Sequence, residues 1–380
     1  MLPSFINLVL FLSRATSLKR WESMGILARE LASYKYNMKW LNGLSIVTSG
    51  GRDELAYQKY IPEARILYNL WNLSPNLYSL LAPLLHAKTL EQANIFKSNQ
   101  LDGAWTAILA GKLHRKPVIV RAGYLWAETF RLTNGSKLKV KFIDRMQRFS
   151  ISRADALIVT TEAIKKYILE NYLPTPKPIY IVPNAVDIEL FRPLHNVDTE
   201  PLRICFVGRL SGIKNIDILI KASTSIPRTR LVIIGEGDEK QKLEDFVRSK
   251  EVDIQFLGKL PQSQIPTEIN RSQLFVLPSS SEGHPKALIE AMACGVAVIG
   301  TDVPGIRELI EHGKTGWLCP PTVDGLRNAI QFLFSNPDLR SELGKNARQF
   351  IIQNFSLEET SKLEKVAIEE TVRKFFFRKI

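Results

Sequence analysis

Short apolar runs alternate with segments of helical spacing along most of this chain, and that alternation limits the fold more than any other feature. Residues 5–12, 44–48, 64–68, 95–100, 117–121 and 155–160 each have the length and apolar continuity of a buried strand. Between them, residues 23–34, 104–112 and 162–171 have helical spacing. In the second half, residues 202–210, 230–237, 253–258, 274–278 and 296–300 read as strands, and helices are expected from Lys214, over 285–295 and over 341–353. Residues 313–318 read as a hairpin-like turn, and the capping box Ser356-Leu357-Glu358-Glu359 opens a last helix running to about Lys374. Strands and helices in this order build parallel, doubly wound sheets of the α/β class.

At 380 residues the chain suits two domains better than one core. Pro174-Thr175-Pro176-Lys177-Pro178, the turn-rich 182–187 and the polar 192–201 mark the crossing between them. The expected division is a first domain over 1–183, a linker over 184–200, a second domain over 201–356 and a final helix over 357–380 that returns to the first domain. Cys205, Cys294 and Cys319 lie in apolar contexts without metal-ligand spacing, as expected of reduced core thiols in a cytoplasmic protein. The apolar run 5–12 is cut short by Arg14, and no other stretch approaches the ~18 apolar residues of a spanning helix.

A net charge of +13 calls for an anionic partner or surface. The cations gather at Arg14, Lys19 and Arg20 beside Trp21; at Lys137, Lys139, Lys141, Arg145, Arg148 and Arg153 among Phe142 and Phe149; and in the tail 373–380. Basic residues mixed with large apolar ones fit contact with an anionic membrane surface from the cytoplasmic side, and equally fit solvated helix faces beside a core-packing tail. Neither zinc-finger spacing nor an aromatic RNA-binding signature is present, so nucleic acid is not an expected partner.

The candidate chemistry lies in the second half. In 281–295 a strand end turns sharply into a helix, with Pro285 expected in its first turn and Gly295 just past its end, about ten residues in all. Glu290 is a carboxylate in an otherwise apolar helix, and Glu282 lies in the preceding turn, where Gly283 allows close backbone approach. Further upstream, Gly208-Arg209 ends a strand and Lys214-Asn215 opens a helix: glycine, two cations and a helix N-terminus make a cradle for a pyrophosphate. Gly235-Glu236-Gly237 is a second, weaker glycine turn.

Glu282-Gly283-His284-Pro285 followed by Glu290-Ala291-Met292-Ala293-Cys294-Gly295 resembles the Glu-x7-Glu signature of retaining GT-B glycosyltransferases, most closely family 4. Asn184-Ala185-Val186-Asp187 after Pro183 is similar to an element that family carries before its second domain. The resemblance implies two Rossmann-like domains facing a cleft, with the second binding a nucleotide-diphosphate sugar. It implies that Arg209 and Lys214 hold the diphosphate, Glu282 the sugar and Glu290 the ribose, with Gly208, Gly235, Glu236, Gly283, His284, Pro285 and Lys286 around the donor. The sugar would pass to a glycan or lipid-linked acceptor, as in polysaccharide or glycolipid synthesis, with no metal or other cofactor. A non-catalytic nucleotide-sugar-binding subunit, or an epimerase or hydrolase on the same fold, remains open. The first half departs from the family: residues 13–19 replace a glycine-rich loop, and no histidine follows the strand ending at Arg121. Thr16, Arg121 and Tyr124, at strand C-termini, are the acceptor-side candidates. His114 and His312 read as surface residues.

Overall fold

The computed structural model describes residues 6–132, 136–172, 177–248 and 253–377. The chain divides into two compact units, Met1–Pro183 with Thr360–Ile380, and Asn184–Glu359. The first holds seven strands: β1 (Asn7–Phe11), β2 (Gly43–Val47), β3 (Ala64–Leu67), β4 (Ile95–Ser98), β5 (Val118–Ala122), β6 (Ala156–Val159) and β7 (Ile179–Ile181). The second holds six: β8 (Arg203–Val207), β9 (Arg230–Ile234), β10 (Asp253–Gly258), β11 (Leu274–Leu277), β12 (Ala297–Thr301) and β13 (Trp317–Cys319). All the pairings are parallel, in the orders β3-β2-β1-β4-β5-β6-β7 and β10-β9-β8-β11-β12-β13.

Each sheet therefore starts at a central strand, winds to one edge, returns past its start and winds to the other. The switch falls between β1 and β4 in the first sheet and between β8 and β11 in the second. Outside the C-terminal ends of such a strand pair, the two following loops diverge and leave a crevice, where doubly wound folds keep their ligands.

Central strands are largely apolar because both faces are covered: every residue of β8, β11 and β12 is buried, with Arg203 opening β8 and Thr301 closing β12 as the polar exceptions. β10, an edge strand, alternates exposed and half-buried residues instead. Lys97 of β4 is buried, and it forms an ion pair with the buried Glu364 of the last helix, Leu357–Phe377, with the Tyr34 ring 5.0 Å away. That helix is held to the first sheet also by Trp40 Nε1 donating to Ser361 Oγ (2.9 Å) and Tyr180 OH donating to Glu370 (2.9 Å).

Several expectations need correction. Residues 23–34 are not one helix: Leu18–Ser23 and Leu27–Asn37 are separated at Gly25, whose φ of +67° stops the first. Residues 313–318 do make a tight turn, closed by Gly313 N donating to Gly316 O (2.9 Å), but it leads into β13, which pairs parallel to β12 and not back across the turn as a hairpin strand. Residues 184–200 are not a free linker: Phe191 is fully buried in the second unit, Val186 N donates to Phe355 O (2.9 Å) and Leu194 N to Asn270 Oδ1 (2.9 Å). Helices Pro75–Leu85 and Val323–Ser335, and strand β7, were not anticipated. The basic run is a 17-residue helix, Lys137–Arg153, opened by Ser136. Phe5, Pro174-Thr175-Pro176 and Arg378-Lys379-Ile380 lie outside the described residues.

Candidate donor-binding site

The two loops at the switch of the second sheet carry the candidate residues. After β8 the chain passes Gly208, Arg209 and Leu210, makes a single tight turn over Gly212–Lys214, and enters helix Ile216–Thr224 through Asn215, at φ +47°. After β11 it passes Pro278 to Pro285 and enters helix Lys286–Ala293. Ser280 N donates to Ile213 O (2.9 Å), tying the loops together.

Across this tie, Lys214 and Glu282, 68 residues apart in sequence, form a direct ion pair whose side chains are only 17% and 10% exposed. Ser279 Oγ donates to the same Glu282 oxygen (2.6 Å), and Thr301 Oγ1 at the end of β12 donates to Ser279 O (2.5 Å). Both supporting residues are completely buried. An ammonium has three N–H donors, so Lys214 can hold Glu282 and still meet an anion.

Arg209 points away, its side chain 68% exposed and paired with the exposed Asp238 at 3.0 Å. So exposed a pair is worth little and is easily exchanged for a phosphate. The glycine turn after β9 has a packing role: Gly208 N donates to Ile234 O (3.0 Å), Leu210 N to Glu236 O (2.9 Å), and a Cβ on Gly235 would lie 1.9 Å from Gly208 O. The Gly208 N–H is thus used within the sheet, and the Glu236 carboxylate accepts from Lys240 (2.7 Å).

His284 is buried, with its ring Nδ1 accepting from Asn184 N (3.3 Å) and its carbonyl from Asn184 Nδ2 (2.7 Å). It anchors the residues after Pro183 to the turn that carries Glu282. Pro285 caps the helix with extended backbone, ψ 108°, so the helix starts one residue later than expected and spans eight residues. Gly295 follows it at φ +72°. Glu290 is 3% exposed, on the inner side of the helix. Burial, and secondarily this carboxylate, push the Cys294 thiol above its usual range. All three cysteines are buried.

Ser279, Thr301 and Gly305 were missed. Gly305 would place a Cβ 2.3 Å from Gly283 O and 2.4 Å from Glu282 O, so the loop after β12 directly backs the peptide carrying the carboxylate. Their signal in sequence is position alone, at and just beyond the C-terminal ends of central strands.

In the first unit, Arg14 of the loop after β1 pairs with Asp102 of the loop after β4 (3.4 Å), across that sheet's switch. Thr16 N donates to Ser13 O (2.9 Å) and Thr16 O accepts from Ser49 Oγ (2.8 Å), so backbone contacts fix this loop. Arg121 is half-buried at the end of β5. The Tyr124 phenol, just beyond, is held above its usual range by desolvation first and then by Asp102. His114 Nε2 lies 2.9 Å from Pro83 O, a contact between helices Pro75–Leu85 and Ala104–His114, and His312 Nδ1 accepts from Leu318 N (3.0 Å) within its own turn. Among the described residues no group of three or more His, Cys, Asp or Glu side chains is placed to hold a metal ion, and no helix is long and apolar enough to cross a membrane.

Two family models match: Glycosyltransferase Family 4 over residues 26–190 and Glycosyl transferases group 1 over residues 187–350. An uncharacterized glycosyltransferase of Methanocaldococcus jannaschii is 26% identical over 80% of this chain and 79% of its own. Among solved structures, sucrose-phosphate synthase from Thermosynechococcus elongatus superposes with a TM-score of 0.78 at 19% identity, covering 98% of this chain and 100% of that one. HepE of Anabaena, solved with UDP and glucose, gives a TM-score of 0.76 at 18% identity over 96% of this chain and all of its own. Two doubly wound parallel sheets, a switch-point site after β8 and β11, and these matches together make the chain a GT-B glycosyltransferase of the group 1, family 4 type.

Proposed function

We propose that the second unit binds a nucleotide-diphosphate sugar in the crevice after β8 and β11, and that the chain passes the sugar to an acceptor hydroxyl with retention of anomeric configuration. The observation that carries this is the buried Lys214–Glu282 pair at the switch point, locked by Ser279 and Thr301. Lys214 and the exposed Arg209 would take the diphosphate, Glu282 the sugar hydroxyls through its remaining lone pairs, and Glu290 the ribose. The glycosidic C–O bond breaks with its electron pair going to the leaving phosphate oxygen, which the two cations stabilise. That oxygen takes the proton of the acceptor hydroxyl attacking from the same face. Lys214 and Arg209 supply this charge stabilisation in place of a metal ion. UDP-sugars are the first donors to try, because HepE, which shares the fold, was solved with UDP and glucose. The acceptor is a growing glycan or a lipid-linked glycan at the cytoplasmic face of a membrane.

A panel of nucleotide sugars tested by thermal unfolding identifies the donor, since a ligand at 100 times its Kd stabilises the folded state by about 2.7 kcal/mol. One donor should raise the midpoint in wild type and not in Lys214→Ala, with the same result in EDTA. NMR of the transfer product should show the donor's own anomeric configuration. No stabilisation by any nucleotide sugar would overturn the donor site, and an inverted product would overturn retention. Binding without transfer would favour a non-catalytic subunit, and donor loss without acceptor a hydrolase.

A further inference from the structure

On one face of the first sheet, helices Pro75–Leu85 and Lys137–Arg153 both pack against the intervening helix Ala104–His114. Tyr78 and Ala82 of the first, Ala104, Ala107 and Ile108 of the middle one and Ile151 of the last share a single core with Phe11, Phe96, Val120 and Leu157 of the strands. An outer helix of this kind should turn polar residues to water. These two do not.

Pro75–Leu85 buries Tyr78, Ser79, Ala82 and Pro83 and turns Leu77, Leu80 and Leu84 outward at 45%, 56% and 59% exposure. It carries no charged residue. Lys137–Arg153 buries Ile143, Gln147, Ser150 and Ile151, while Leu138, Phe142 and Phe149 stand out at 82%, 64% and 38%. At about 100° per residue these three fall within roughly 40° of one another, on the side opposite the buried set. Arg145 lies within the same stripe, and Lys139, Lys141 and Arg153 flank it. The three helices together hold seven lysines and arginines against one acid, Asp144, and Arg148 already binds that acid at 2.8 Å. Lys137, Lys139, Lys141, Arg145 and Arg153 make no ion pair with any described residue.

Single exposed leucines are ordinary, but two such stripes on one helical layer are not. The second unit, by contrast, exposes only Leu257 and Phe332 among its described large apolar side chains. Of the other basic clusters, the first lacks the pattern, since Trp21 is 4% exposed, Lys19 is paired with Asp53 and Arg14 with Asp102. The end of the last helix shows it on a smaller scale, with Phe376 and Phe377 41% and 57% exposed near Arg373 and with Lys374 paired to Glu370.

We propose that this helical face seats on an anionic membrane surface, with the leucines and phenylalanines entering the headgroup boundary and the flanking cations meeting lipid phosphates. The charge decides the occupant: a second copy of this face would bring like charges together, whereas an anionic bilayer complements them. The inference stands apart from donor binding, which uses the other unit.

The test is flotation of the full chain with vesicles of phosphatidylcholine, alone or mixed with phosphatidylglycerol. Binding is expected to the mixed vesicles only, and to weaken with salt. Lys139→Ala with Lys141→Ala should lower the partition by roughly thirtyfold, from ~1 kcal/mol per cation near such a surface. Phe142→Ser with Leu80→Ser should lower it at least tenfold, with the thermal midpoint unchanged as the control for folding. Equal partition of wild type and both variants, or no partition onto anionic vesicles at low salt, overturns the proposal. So does a concentration-dependent dimer that Phe142→Ser abolishes, which would show a second copy on this face.

Discussion

Gly305→Ala isolates the geometry of the donor loop from its chemistry. Gly305 lies in the short helix Pro304–Arg307, and its φ is not positive, so alanine meets no backbone penalty and would by propensity gain up to about 1 kcal/mol. Against this, the new Cβ would lie 2.3 Å from Gly283 O, 2.4 Å from Glu282 O and 2.7 Å from Glu282 C. Backbone atoms cannot swing aside as a side-chain tip can. Restoring ordinary contact requires moving the 282–283 peptide, or the 304–307 turn, by about 1 Å, and overpacking on that scale costs about 1–3 kcal/mol. The net expected loss of stability is therefore about 1–2 kcal/mol, measurable by urea unfolding. The effect on transfer should be larger, because the displaced peptide carries Glu282 away from Lys214. A misplacement of 1 Å can lower turnover by as much as 10²-fold. Gly313→Ala is the control: its φ of +74° makes alanine strained, but nothing lies within 4 Å, so stability should fall while turnover holds. Wild-type donor affinity and turnover in Gly305→Ala would refute the idea that the loop after β12 positions Glu282.

The remaining predictions concern buried charge. Lys214→Ala and Glu282→Ala should each destabilise by about 3 kcal/mol, because each strands the other charge in a mostly buried setting, and the double variant should lose clearly less than the sum; additive losses in urea unfolding would show the two do not interact. Burial holds the Cys205 and Cys319 thiols up at about 12 from an ordinary 9.0. The folded chain thus keeps protons that the unfolded chain gives up, so this contribution is whole below pH 9 and is lost as pH rises toward 12. Cys319→Ala should flatten the alkaline fall in the urea midpoint, and an unchanged slope would count against that burial.

What the sequence made legible follows burial. β8, β11 and β12 stood out because strands covered on both faces carry a near-continuous apolar run, broken here only at the ends by Arg203 and Thr301. β7 and β13, three residues each at or near an edge, bury too little to leave such a run. Lys214 and Glu282 were found because each lies in the loop between a recognisable strand and the helix after it, whereas Ser279, Thr301 and Gly305 serve the site only through tertiary neighbours. Thr301 reaches Ser279 because β11 and β12 pair Leu277 with Gly300, a register that no local spacing encodes. Helix Pro75–Leu85 was missed for a different reason. A pattern reading expects a polar stripe opposite the core, and Asn76-Leu77-Tyr78-Ser79-Leu80-Leu81-Ala82-Pro83-Leu84 has none. A helix on the outer layer of a small domain that keeps leucine toward solvent bears a cost that folding alone does not explain. The property that hid this helix from the sequence is therefore the one that identifies its face as a place where water is displaced by something else.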